Sequence, residues 1–419
     1  MRMPNKSLLA AALALAGSAQ AASVVEMYGT VMPFFENAKT SGATSPAPTD
    51  RPAQLPAAAY TGVNDLSRWR ITAGTTNWGF RGYEDLTPGL RAVWQLESAF
   101  QIDQNTGPGI AARNSKIGLA GSWGEVNMGQ WDSPYKNISL PINPFRAGYS
   151  FDYTPLMGNP GFGVPVTTTQ FTRIGAKPDA AFDKRVGNFV QYWSPRWGGV
   201  SFRVGHSVNE GRNSVVAGGP VVSPTITSAA VIWDIGGFSI RYAHEQHNDY
   251  FGMTQLGGAA AGTATNPSSR DRANKLVAIW RAGGTRVAAA FEQLEYRNEQ
   301  VSGAVTATDV NKYKRKAFYV IGEQAFGRNV FFASFSHADE GDCSRVGGGA
   351  CSTANLAADY YTLGYIYRIS KRTELFLTYY RIKTDSSSQY TVQPVIGTAA
   401  AIAPGADTTG AGLGMIHYF

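Results

Sequence analysis

Along most of this chain apolar and polar residues alternate with a period of two, the pattern of strands with one face in a greasy medium and the other in water. From position 90, Leu90, Ala92, Trp94, Leu96 and Phe100 fall on one face and Arg91, Gln95 and Glu97 on the other. Phe238, Ile240 and Tyr242 alternate in the same way with Ser239, Arg241 and Ala243. Segments of this kind cover residues 28–36, 78–84, 90–100, 113–121, 125–130, 187–193, 200–208, 225–234, 238–247, 273–282, 285–296, 312–323, 329–337, 359–369, 373–383 and 408–419. About sixteen strands follow, an even number of the size that closes into a water-filled barrel.

The connectors alternate in length. Tight, Gly-rich or charged turns at 85–89, 121–124, 195–199, 235–237, 283–284, 327–328 and 370–372 are separated by long polar stretches such as 252–272, 338–358 and 384–407. Short periplasmic turns and long outer loops are the rule for transmembrane barrels, and the Ala/Gly/Thr-rich run 257–265 is loop material within that scheme. In the terminal strand the alternate residues Leu413, Met415 and Phe419 are apolar. On a soluble domain that strand would be an exposed sticky edge; in a barrel it pairs with the first strand, and lipid covers its face.

Composition agrees with this reading. Only 16% of residues are charged against about 25% in an average soluble domain, while 43% are hydrophobic and 12% aromatic. Yet no apolar run reaches the roughly 18 residues of a membrane helix, because half-apolar strands average out, here to a mean hydropathy of -0.19. Aromatics gather toward strand ends, at Tyr192-Trp193, Trp280, Tyr360-Tyr361 and Tyr379-Tyr380, as interfacial girdles do. Arg2 and Lys6, the apolar run 8–16 and Ala19-Gln20-Ala21 predict a signal peptide over residues 1–21. Residues 22–419 are then expected to form one barrel domain.

Charge and chemistry narrow the function. The net charge of +7 favours anionic solutes weakly, and without a Lys/Arg cluster interleaved with aromatics it does not indicate nucleic acid. The run Lys312-Tyr313-Lys314-Arg315-Lys316 is expected at the outer rim, facing either lipopolysaccharide phosphates or solvent. Cys343 and Cys351, eight apart, are expected to form a local disulfide in an oxidising compartment rather than a metal site, since the ligand count is too small. His206, His244, His247, His337 and His417 sit in no nucleophile motif, so an outer-membrane barrel enzyme is the remote alternative and no cofactor is expected. Between 130 and 185 lie over fifty Pro- and Gly-rich residues, far beyond an ordinary connector. Phe145, Tyr149, Phe151, Tyr153, Phe162 and Phe171 in that stretch give it apolar surface to pack against the barrel interior.

Several motifs resemble one family. Gly79-Phe80-Arg81-Gly82-Tyr83-Glu84-Asp85-Leu86 followed by 89–98 is similar to the second and third strands of the general porins of β-proteobacteria and neisseriae. The run 124–134 is similar to their fifth strand entering loop three, and 188–195 and His417-Tyr418-Phe419 also match. The resemblance implies an all-β, 16-stranded antiparallel transmembrane β-barrel in the outer membrane of a Gram-negative bacterium. It also implies a homotrimer, with loop three, residues 131–186, folded inward as a constriction. Function is then passive diffusion of ions and small hydrophilic solutes, with a substrate-selective channel carrying a saturable site as the alternative. By position, Arg113 and Arg185 match the family's wall arginines, and Arg81 falls on the lumen face of the second strand; Asn77 stands where another arginine is usual. Asp132, Lys136, Arg146, Asp152 and Arg173 are the charged candidates in loop three. The nearest analogue of the family's acidic loop tip, 159–163, lacks a carboxylate, so fewer carboxylates than arginines are expected at the narrowing, and anion preference with them.

Overall fold

The computed structural model describes residues 23–44, 47–52, 60, 62–100, 102–103, 110–144, 151–161, 181–208, 210, 212–214, 221–253, 268–299, 310–392 and 402–419. The expected signal peptide therefore lies outside the described residues, as do Arg146 and Arg173.

Sixteen antiparallel strands close into a barrel. The first, β1, runs as Ser23–Val31 and resumes as Phe34–Ser41; β2 is likewise Leu66–Thr72 and Asn77–Thr87. Then follow β3 (Leu90–Ala99), β4 (Ser115–Gly121), β5 (Gly124–Asp132), β6 (Arg185–Trp193), β7 (Val200–Ser207), β8 (Thr225–Ile235) and β9 (Phe238–Asn248). The series ends with β10 (Ser268–Ala282), β11 (Thr285–Glu299), β12 (Val310–Phe326), β13 (Asn329–Ala338), β14 (Ala358–Arg368), β15 (Thr373–Thr384) and β16 (Asp407–Tyr418). Each pairs with its neighbour, and β16 pairs with β1 through Phe35↔Leu413 and Thr30↔Tyr418. Gly29 and Phe419 exchange backbone hydrogen bonds of 3.1 and 3.2 Å at the seam.

The sequence reading carried β1 straight through Pro33 and overlooked the first half of β2. Proline has no N–H to give the ladder. The strand breaks at Met32-Pro33, and β2 breaks opposite it, where Thr76 donates its N–H to Ala73 and its hydroxyl accepts from the Met32 N–H at 3.0 Å. Tight turns close the other end. Gly236 and Gly283, at φ 55° and 54° with open space around them, supply the left-handed backbone that such turns require.

Lipid-side positions carry exposed Phe35, Trp69, Leu276, Phe291, Phe318, Leu363, Leu377, Leu413 and Met415. The opposite face is not uniformly polar. Phe34, Tyr319, Tyr360, Phe376, Tyr380 and Ile382 are all at most 2% exposed, because the segment between β5 and β6 lies against them. A Ser133-capped helical turn, α1 (Pro134–Asn137), starts it. Tyr135, Ile138, Ile142, Phe151, Tyr153, Leu156 and Met157 from this stretch are each at most 1% exposed. Phe151 packs at 5.6 Å from Phe34 of β1 and 5.8 Å from Phe376 of β15, Tyr153 at 6.2 Å from Tyr319 of β12. The Tyr135 N–H reaches Ser228 of β8 at 3.0 Å. Contacts to strands so far apart around the wall are only possible from inside the barrel.

Candidate functional site

The described part of the inward segment is held by a buried charge cluster. Glu292 on β11 accepts hydrogen bonds from the Tyr135 hydroxyl and the Gly158 N–H, both at 2.7 Å. It also lies 3.3 Å from Lys275 Nζ of β10 and 3.2 Å from Arg315 Nη2 of β12. Lys275 pairs in addition with Asp183, and Arg315 donates to the carbonyls of Leu156, at 2.6 Å, and Asn159. Arg286 of β11 donates to the carbonyls of Pro141 and Asn143 while pairing with Glu323. Every one of these wall groups points inward and meets a backbone or side-chain partner of the segment, so ionic and hydrogen-bonding demands are met together.

The wall left uncovered is formed by β1 to β6, and here lie the arginines anticipated from sequence. Arg81 makes a bidentate pair with Glu26 at 2.9 and 3.0 Å, both side chains half-exposed, with its guanidinium 4.9 Å from the centre of the Tyr28 ring. Arg113, just before β4, pairs with Glu97 of β3, which also accepts from the Tyr28 hydroxyl at 3.0 Å. Arg185 opens β6, donating to Asn114 at 2.6 Å and lying 3.5 Å from Asp132. Lys136 reaches the same carboxylate at 2.7 Å. Asp152 faces none of these arginines: its carboxylate accepts from the Thr154 N–H at 2.9 Å, and burial pushes its pKa up to about 7 despite the Thr154 hydrogen bonds. Burial likewise lowers the Lys136 pKa, with Asp132 opposing.

The expectation that these arginines outnumber their carboxylates is therefore corrected. Glu26 and Glu97 reach them from β1 and β3, and cross-strand register, Glu26↔Arg81 and Gly79↔Glu97, places them there. Sequence reasoning looked for acids only in loop three. It also missed a second cationic row. Arg203 on β7, Arg241 on β9, Arg281 on β10 and Arg286 on β11 all point inward, each within the electrostatic reach of the next, and Arg281 and Arg286 stand directly opposite. Asp234, 3.7 Å from Arg241, and Glu323 are the carboxylates among them. The signal was available: Phe202-Arg203-Val204 and Ile240-Arg241-Tyr242 each set one arginine between two outward apolar residues. Close by, Trp131 and Trp193 pack at 5.3 Å with Lys116 Nζ 3.8 Å from the Trp193 ring centre.

Cys343 and Cys351 are joined in a disulfide within the 339–357 connector, which packs with 385–392 over the segment: Tyr390 donates to the Asn159 carbonyl at 3.1 Å and the Gln389 N–H to that of Gly161 at 3.2 Å. Leu413 and Met415 face outward, and the ring of Phe419 covers Gly29. Among the described residues no group of three His, Cys, Asp or Glu side chains is placed to hold a metal.

A family model described as Gram-negative porin matches residues 8–387. An outer membrane porin protein of Bordetella pertussis is 26% identical over 401 residues, covering 89% of this chain and 92% of that one. Outer membrane porin protein 32 of Delftia acidovorans is 25% identical over 422 residues, covering 99% and 100%. Among solved structures, the anion-selective porin from Comamonas acidovorans superposes with a TM-score of 0.69 at 19% identity, covering 95% of this chain and all of that one. With the barrel closed, its lumen lined by charge and its family model spanning most of its length, the chain belongs to the Gram-negative porin family: an outer-membrane channel for passive diffusion, not an enzyme.

Proposed function

We propose that the chain is an anion-preferring general diffusion pore. It is exported with residues 1–21 removed, assembled as a homotrimer in contact with lipopolysaccharide, and narrowed by residues 131–186. The observation that carries the charge preference is the inward row Arg203, Arg241, Arg281 and Arg286, against which Asp234 and Glu323 are the nearby acids. Across the lumen, Arg81 and Arg113 are matched by Glu26 and Glu97, so that wall contributes a transverse field but little net charge. Charges set in low-dielectric walls act on an ion more strongly than the same charges in bulk water, so an unbalanced row biases the pore even where most pairs cancel. The Comamonas acidovorans relative is described as anion-selective, which supports the same direction. The test is the zero-current potential across a KCl gradient for the wild type and for Arg241→Gln/Arg281→Gln. The double variant is expected to lose most of the chloride preference; an unchanged potential refutes the assignment.

A further inference from the structure

The outward face of the barrel carries charge that the pore does not use. On β10, β11 and β12, Leu276, Phe291 and Phe318 stand opposite one another in one lipid-facing row, all exposed. One pleat toward the loop end the row reads Asn274, Gln293, Lys316, and the next reads Arg272, Glu295, Lys314. Beyond it Arg297 faces Lys312, with Arg270 at the same end of β10. Their inward neighbours, Asp271, Tyr296, Tyr313 and Arg315, are buried, so these outward side chains cannot meet a solute in the lumen. The acids in the patch are Glu295, 3.0 Å from Lys314 and 3.8 Å from Lys312, and Glu299, 3.9 Å from Arg270. Six cations against two carboxylates leave it strongly positive.

Its position decides what fits it. The tight turns at 283–284 and 327–328 end these strands on the other side, so the patch lies at the long-loop, outer end. Apolar positions give way to cations within one pleat, at the level where hydrocarbon gives way to headgroups. Alternate residues on a strand are about 6.6 Å apart and neighbouring strands about 4.8 Å apart, so two or three of these side chains converge on one phosphate. We propose that this face binds the phosphorylated headgroup of the outer leaflet's glycolipid, with Lys312, Lys314, Lys316, Arg272 and Arg297 as phosphate ligands. The proposal deepens the lipopolysaccharide contact of the reading above and rests on outer-membrane placement, not on the charge preference of the pore.

The experiment titrates the purified, folded protein with diphosphoryl lipid A, with its dephosphorylated counterpart and with inorganic phosphate. It compares the wild type with Lys312→Gln/Lys314→Gln/Lys316→Gln and with the matching triple Lys→Arg variant. A basic residue at an anionic membrane surface is worth about fivefold in binding, so the Gln triple is expected to lose diphosphoryl lipid A on the order of a hundredfold. The Arg triple should keep it, and raised salt should weaken both. Equal binding of the two lipids, competition by inorganic phosphate as effective as that by the lipid, or loss of trimer with lipid binding intact each overturns it. Lys314→Gln alone, expected to lose about fivefold, serves if the triple does not fold. Single-channel conductance, measured in parallel, is expected to stay at the wild-type value, since these side chains point away from the lumen. A wild type that binds lipid but conducts no current would sink the pore reading and leave this site standing.

Discussion

Replacing Glu292 by Gln tests whether the buried cluster is what holds the inward segment. The carboxylate takes four donors, two from the segment, Tyr135 and Gly158, and two from the wall, Lys275 and Arg315. Its side chain, and those of Lys275 and Arg315, are 0% exposed. Glutamine keeps the shape but leaves Lys275 with Asp183 and Arg315 with the Leu156 and Asn159 carbonyls, one buried positive charge uncompensated. Breaking a buried pair costs about 3–5 kcal/mol, a shift of about a hundredfold to a few thousandfold between docked and released segment. Released residues no longer occupy the lumen side of β8 to β12. Single-channel recordings in planar bilayers should therefore show a larger mean conductance and excess open-channel noise. Glu292→Ala should exaggerate both, with β-barrel folding checked by heat-dependent migration on a gel. Wild-type conductance and noise in both folded variants would refute the anchoring role.

Asp152 supplies a pH dependence. Its pKa is raised by burial from 3.8 to about 7, so the docked segment binds more protons than the released one between those values. Docking is strongest below pH about 4 and weakens by about 4 kcal/mol as pH rises through 7; current noise should grow over that interval in the wild type and stay flat in Asp152→Asn. Reducing Cys343–Cys351 or changing both to Ser removes a link closing a short loop, worth about 2.5 kcal/mol locally. Faster cleavage of the 339–357 connector by protease with an unchanged barrel melting temperature is the expected result. A Cβ at Gly364 would run into the Phe332 ring, so Gly364→Val should lower barrel stability by about 1–3 kcal/mol, read as a lower temperature of gel-shift unfolding.

How much of this the sequence could show depends on what each residue answers to. Strands β3, β9 and β13 were legible because their two faces meet different media and alternate accordingly. Strands β10 to β12 alternate less clearly, since Val277, Ile279, Leu294 and Ile321 face inward under the segment that covers them, and an apolar inward face looks like an apolar outward one. The first half of β2 was lost because a strand of seven residues, broken from its continuation at 73–76, carries little periodic signal. Positions of Arg81, Arg113 and Arg185 could be matched by motif. Their partners Glu26 and Glu97 could not, because which residues meet across strands is set by register, and a shift of one residue reverses every face. The anchoring cluster was hidden for a similar reason: Asp183, Lys275, Glu292 and Arg315 are far apart in the chain and meet only once the segment has folded into the closed barrel.

The most direct test of the charge preference is the zero-current potential of the purified wild-type protein in a planar bilayer under a tenfold KCl gradient. The potential is expected to lie toward the chloride equilibrium value, with stepwise openings in groups of three as the trimers insert. A potential toward the potassium value would contradict it.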